Sequence, residues 1–479
     1  MMTTAAEATT PAEPDGAPRL AILDIMRGIA ILGILFMNIN DMGGSLWASQ
    51  VDFKSIGWSG ADQAAWIARA VLADGTARCL LEMLFGVGMV ILTDRFSAAL
   101  GDREITAGRW RVVIGRVFGP GAVLRQYYWR NFVLFLFGLI HIFILLWPGD
   151  ILHTYGLAAM VAFLFRRLSA RWLLGIGLIL AALQLFGQGS YLYLSALPHR
   201  AQQDAAIARQ HGGQPVSAAD RKLIDERLKR DADRAKSKAE DAQRMAAENR
   251  ARGAPTATTA SWASKQVEML LFFWGFFGGI FLEWAWVWEA AGTMLIGAAL
   301  FKLGVIQGAR SRRFYAGLLA GGYLIGGFAR AAGAWHEAYG VPGPNMGWDH
   351  QEFARLAMTL GHIGLINLLV ASIAGARLLK PFQAAGRTAL SIYVAQTLVC
   401  LWVLYPPWGL ALYGRQGWMA LMLTALGVNA ALLWGANVWV KHYRIAPVEW
   451  AWRSIISGRS LPFRLRKRSA GSAPVTAAA

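Results

Sequence analysis

Apolar residues in this chain run in long blocks separated by short polar loops, where a soluble helix would show a 3.6-residue stripe and a strand an alternation. Blocks of about 20 residues with almost no charge are what a helix needs to cross hydrocarbon. The stretch NFVLFLFGLIHIFILLW at 131–147 is one. The pattern predicts crossings at 20–40, 78–97, 128–147, 150–166, 171–193, 287–306, 314–333, 355–376, 385–405 and 417–440, about ten in all. Segment 61–73 is too short and interrupted to cross. Segment 265–286 reads as an interfacial or re-entrant helix, with a true crossing as the alternative, and Trp284, Trp286 and Trp288 suit the headgroup belt. The expected fold is all-α: a polytopic transmembrane helix bundle with a charged extramembrane helical insertion.

That insertion is 198–256, where 13 Lys/Arg and 9 Asp/Glu alternate, a pattern suited to a solvated helix with i,i+4 ion pairs and almost no apolar face. It separates an N-terminal transmembrane half, 19–197, from a C-terminal one, 257–465. Residues 1–18 are small, acidic and Pro-containing, without the basic region or cleavage site of a secretory signal, and read as a disordered tail. Residues 466–479 read as a second tail.

The composition agrees: of 479 residues 56% are hydrophobic, 12% aromatic and only 16% charged, too apolar for a soluble core. A net charge of +18 would suggest nucleic acid in a soluble protein, but the basic residues lie in short loops, and no nucleic-acid partner is expected. With the N-terminus cytoplasmic, 25 Lys/Arg fall on that side and 3 on the other, the insertion excluded. The positive-inside rule therefore puts both termini in the cytoplasm. Cys79 and Cys400 are far apart, with no metal-ligand spacing near them, so neither a disulfide nor a metal site is expected.

Ionisable groups inside spans are costly and are functional candidates by default. Asp24 and Arg27, three apart at the start of the first span, either neutralise each other or anchor an anionic group. Asn38, Asn40 and Asp41 close that helix by capping it or by meeting a polar substrate. His141, Asp150, His153 and Tyr155 surround the Pro148-Gly149 turn. Asp150 can N-cap the next helix or orient an imidazole, and His141 or His153 can act as general base or serve as a packing group. Arg330, His362, Asn367, Tyr393 and Gln396 are further intramembrane polar groups, for which helix-to-helix hydrogen bonds are the plain role.

RLAILDIMRGIAILGILFMNI (19–39), LEMLFGVGMVI (81–91), the 141–157 turn, GRTALSIYVAQT (386–397) and HYRIAPVEWAWRSIISGRSLPFR (442–464) together resemble the YeiB-like bacterial membrane proteins, domain of unknown function 418. That resemblance implies a bacterial inner-membrane protein. More weakly, LDxxRGIAxxxxxxxN is similar to the first helix of heparan-alpha-glucosaminide N-acetyltransferase and other transmembrane acyltransferases. This second resemblance implies transfer of an acyl group from cytoplasmic acyl-CoA, bound as a substrate with no tightly held cofactor, to a periplasmic or envelope acceptor. It places their catalytic asparagine on Asn38. Residues 39–77 contain no histidine, so the base would be His141 or His153, oriented by Asp150. Asp24 and Arg27 would hold the donor, and Tyr155, His362 and Gln396 are the remaining binding candidates. A transporter or flippase is the competing expectation, and a scaffold without chemistry the third. Membrane lipids are expected partners, and an oligomer is compatible with the sequence.

Overall fold

The structure is a computed structural model in which residues 20–45, 49, 52–100, 121–185, 191–252, 258–276, 280–339 and 351–464 are described. Both expected tails lie outside these residues. Among the described residues everything regular is helical apart from one isolated bridge, Tyr443 to Arg464. In chain order the helices are α1 (Ala21–Gly43), α2 (Gly60–Leu72), α3 (Thr76–Leu100), α4 (Gly121–Phe143), α5 (Leu152–Phe163), α6 (Ala170–Leu185), α7 (Tyr191–His211), α8 (Ala218–Arg252) and α9 (Thr259–Phe276). They continue with α10 (Ile280–Lys302), α11 (Arg312–Gly322), α12 (Phe328–Tyr339), α13 (Gln351–Val370), α14 (Ile373–Arg387), α15 (Ala389–Val399), α16 (Trp418–His442) and α17 (Pro447–Ser457). One π turn, Tyr323–Gly327, joins α11 to α12, and another, Cys400–Leu404, extends α15.

Length and apolarity do not confirm the expected ten crossings. Among the described residues five segments qualify (21–43, 60–98, 283–302, 352–370 and 418–442), or six if α14 and the α15 segment, bent by 81° at their junction, count as one. α5 has 12 residues, roughly 18 Å at 1.5 Å per residue, short of about 30 Å of hydrocarbon. Several boundaries also move. The 265–286 segment is divided: 259–276 is α9, and Trp284, Trp286 and Trp288 belong to the first turns of α10. The block 355–376 ends at Val370, and a new helix, α14, begins after Ser372, whose hydroxyl accepts the Gly375 N–H. Large apolar side chains stand open around the bundle, including Ile144 at 67%, Trp434 at 72% and Phe328 at 76% exposed. In water such a surface would be a liability, whereas hydrocarbon covers it at no cost.

α1 packs on α14, α3 and α16, and α10 packs on α6, α3 and α5. The crossing of α3 and α10 runs backbone on backbone: a Cβ at Gly86 would collide with the Met294 carbonyl and one at Gly297 with Met83. Small residues allow this approach, the usual currency of helix association in lipid. Cys79 and Cys400 are buried free thiols on different helices.

The insertion folds as a hairpin of α7 and α8, with Ala206 and Ile224 buried along a narrow seam. α7 starts at Tyr191, so the expected boundary at 198 falls inside a helix, at Pro198. Across the turn Arg209 pairs with Asp220, which also forms a capping pair with Ser217, and these bonds hold the Asp220 carboxyl below the usual range. An ion pair from Lys238 to Asp52, 3.9 Å long and largely exposed, ties the hairpin to the loop after α1. Exposed pairs contribute at most about 1 kcal/mol. Deleting 205–250 is therefore expected to leave the helical bundle monodisperse in detergent with an unchanged melting temperature. Aggregation of the deletion variant would mean that the hairpin packs on the bundle.

Candidate functional site

After α4 the chain reverses through 144–151, with Leu146 at φ 59°, a left-handed conformation uncommon for a branched residue. The reversal lays Asp150 back over His141. Asp150 Oδ2 accepts the backbone N–H of His153 at 3.0 Å, the capping bond expected from the sequence. Both of its oxygens also meet imidazoles: His141 Nδ1 at 2.7 Å on Oδ1 and His153 Nδ1 at 2.9 Å on Oδ2. All three side chains are buried.

Each ring then has one nitrogen left. His141 Nε2 lies 2.9 Å from the Thr397 hydroxyl on α15. With Nδ1–H donated to Asp150, Nε2 carries the lone pair and Thr397 donates to it. His153 Nε2 lies 3.1 Å from Glu283 on α10, whose other oxygen accepts from the Thr154 hydroxyl at 2.9 Å. His153 thus lies between two carboxylates, and His141 between a carboxylate and a hydroxyl. Tyr393 meets the His141 ring edge to face at 4.8 Å, and its hydroxyl accepts the Ile151 N–H. The sequence names His141, Asp150 and His153 as one constellation and the fold brings them together. Thr397 and Glu283 are not among the residues the sequence points to, although a glutamate inside an apolar block is itself a signal.

The other named residues are dispersed. Asn38 is half-buried in α1 and makes no hydrogen bond to this cluster, while Asn40 donates to Asp41 at 2.7 Å. Asp24 and Arg27 pair at 2.9 Å near the start of α1. Gln396 donates to the Ile31 carbonyl and to Asn429, and His362 bridges Tyr323 and the Leu72 carbonyl. Arg330 donates to the carbonyls of Ala70, Val71 and Asp74, and Asn367 to that of Ile363. The bonds of Gln396, His362 and Arg330 join different helices, whereas those of Asp24, Asn40 and Asn367 stay within their own.

Tyr155 leads to a second buried unit that the sequence did not reveal. Its hydroxyl donates to the Arg78 carbonyl. Arg78 reaches Glu289 at 2.6 Å, and Arg355 reaches Glu289 at 2.7 Å, Glu352 at 2.8 Å and Glu82 at 3.2 Å. Two guanidiniums thus face three carboxylates from α3, α10 and α13, with Arg355 also donating to Thr293. Among the described residues no group of three or more His, Cys, Asp and Glu side chains is disposed to hold a metal ion.

Two of the C-terminal motifs quoted above meet in space. Glu449 of α17 accepts the backbone N–H groups of Leu390 and Ser391 at 2.7 and 3.2 Å and the Ser391 hydroxyl at 2.5 Å. It thereby caps the helix that carries Tyr393 and Thr397. Burial pushes the Glu449 carboxyl up, against the pull of those donors.

An all-α bundle of membrane-type helices with a buried His–Asp–His unit defines the class. Residues 300–459 match the family described as Protein of unknown function (DUF418). The chain is 25% identical to Uncharacterized protein YxaH of Bacillus subtilis (strain 168) over 454 residues, 91% of this chain and 94% of that protein. It is also 25% identical to Uncharacterized protein YeiB of Escherichia coli (strain K12) over 472 residues, 91% and 96% of the two chains. The chain is thus similar to these YeiB-like proteins over most of its length, and the DUF418 match lies in its C-terminal part. No solved structure matches it.

Proposed function

We propose that this membrane protein transfers an acyl group to a hydroxyl or amine, with His141 as the acid–base residue and Asp150 orienting it. The observation that carries the reading is the line Asp150–His141–Thr397, in which a carboxylate fixes the tautomer and the free nitrogen already faces a hydroxyl, the group a base must deprotonate. In the step, His141 Nε2 takes the acceptor's proton, the acceptor oxygen or nitrogen bonds to the acyl carbonyl carbon, and the bond to the donor's sulfur breaks. The leaving thiolate then receives the proton from His141. Acyl-CoA is the donor this reading requires, the acceptor belongs to the periplasm or envelope, and Asp24 and Arg27 stand at the end where a cytoplasmic donor arrives. Vesicles containing the purified protein, given labelled acetyl-CoA, are expected to show label on an enclosed acceptor. Absence of transfer with every hydroxyl and amine acceptor tried would sink it.

A second reading, proton-coupled transport, draws on one observation: His153 is held between Asp150 and Glu283, a protonatable row of the kind transporters use. Uptake driven by a pH gradient, with no acyl transfer, is its signature.

Both readings share an orientation, with both termini in the cytoplasm of a bacterial inner membrane and the hairpin in the periplasm. An alkaline phosphatase fused after residue 225 is expected to be active and one at the C-terminus inactive. The opposite pair of results would invert the bundle.

A further inference from the structure

At the end of the bundle where α1 begins, a cavity of about 230 Å³ opens between Ile22, the turn after α10 and the end of α13. We propose that it is a binding site for a phosphate ester bearing hydrogen-bond donors, carried by a phospholipid headgroup such as phosphoethanolamine. Two facts on its wall define the ligand. Asn367 is 4% exposed, and its Oδ1 has no hydrogen-bond partner among the described residues; nor has the buried Oε1 of Gln307. Their amide nitrogens are already used, donating to the carbonyls of Ile363 at 2.8 Å and Phe301 at 2.7 Å. The two oxygens are therefore pure acceptors, and what fills the cavity has to bring N–H or O–H groups.

The second fact is charge. Arg310 and Arg312 stand exposed at the rim, each held by a bond from its guanidinium to a carbonyl, that of Leu303 at 2.8 Å and that of Ala371 at 2.9 Å. A guanidinium has five N–H donors, so most remain for an anion, and no carboxylate lines the cavity. Gly308 keeps the space open: its φ is 84°, and a Cβ there would come 3.0 Å from Asn367 Oδ1. The lipid is favoured as the source because apolar helices end at this level and Phe314 and Ile373, two residues beyond Arg312 and Ala371, are exposed at 41% and 76%.

Native mass spectrometry on the detergent-purified full chain tests this with phosphatidylethanolamine, its trimethylated choline counterpart, and soluble phosphoethanolamine as competitor. The ethanolamine lipid is expected to bind about ten-fold tighter than the choline lipid. Asn367→Leu and, as a second variant at the surface turn, Gln307→Leu are expected to erase that preference. Arg310→Gln with Arg312→Gln is expected to weaken both lipids about ten-fold while elution on size exclusion is unchanged. Competition by soluble phosphoethanolamine would assign the site to the phosphate ester alone, and lack of competition to the lipid. Equal binding of the two lipids to the unaltered chain, or full binding by the double arginine variant, overturns the proposal.

Discussion

His141→Gln is expected to lower transfer by a factor on the order of 10²–10⁴ while the melting temperature barely moves. Glutamine can still donate toward Asp150 or accept from Thr397, so the buried hydroxyl and carboxylate are not both abandoned, but it cannot take up a proton near neutral pH. His141→Leu removes the hydrogen bonds as well, leaving Asp150 Oδ1 and the Thr397 hydroxyl buried and unmet. That variant is expected to lose about 1–3 kcal/mol of stability besides the activity. A packing histidine predicts the reverse order: Gln harmless to function, Leu harmful through folding alone. His153→Gln is the internal comparison. Because His153 touches two carboxylates and not the lone pair of His141 that faces Thr397, its loss is expected to lower the rate less and to shift the pH profile, through a change in the charge next to Asp150. The assay is the vesicle transfer described above, with complementation of a deletion strain as the cellular readout. Full activity in both Gln variants would remove acid–base histidine chemistry from this protein.

The part of this site that was legible in the sequence was the local part. His141, Asp150 and His153 are separated by one tight turn, so a Pro-Gly reversal and one helical turn are enough to infer that they meet. Thr397 and Glu283 are more than 100 residues away from them, and nothing in a single chain reports which helix packs on which. The crossing count of about ten is left unconfirmed for a different reason. A hydropathy block records where apolar residues are dense, not where the backbone bends. The blocks at 314–333 and 385–405 conceal π turns at Tyr323–Gly327 and Cys400–Leu404, and the Trp-rich end of 265–286 proved to be the start of α10. The all-α class survived these errors because it rests on total apolarity, which local breaks do not change. The ion network was overlooked because Arg78, Glu82, Glu352 and Arg355 sit at or near block ends, where a charge reads as a solvated boundary. Only their burial shows otherwise.

Arg355→Met is accordingly expected to be the most damaging single substitution in the chain, destabilising the fold by about 3–5 kcal/mol. Among the described residues the Arg355 guanidinium is the one group that touches Glu82, Glu289 and Glu352 together, at 3.2, 2.7 and 2.8 Å, with side chains at most 6% exposed. Methionine matches much of the volume and none of the charge. Glu289 keeps Arg78 at 2.6 Å, and Glu82 keeps it only at 3.7 Å. Glu352 loses the partner that holds both its oxygens. Arg355→Lys restores a charge but only as a point, unable to span three helices, and is expected to recover part of the loss. Neutralising the carboxylates left over is the sharper control: adding Glu82→Gln and Glu352→Gln to Arg355→Met should stabilise it, although each change alone weakens the unaltered protein. Unfolding followed by size exclusion in detergent measures each variant against the parent. An Arg355→Met variant as stable as the parent would mean that the carboxylates are not ionised in the folded state. Because the Tyr155 hydroxyl is bonded to the Arg78 backbone, loosening the network also frees α5, the helix that follows Asp150 and carries His153. Arg355 variants that still fold are therefore expected to lose transfer through the His–Asp–His geometry, with a weaker pH dependence than His141→Gln produces.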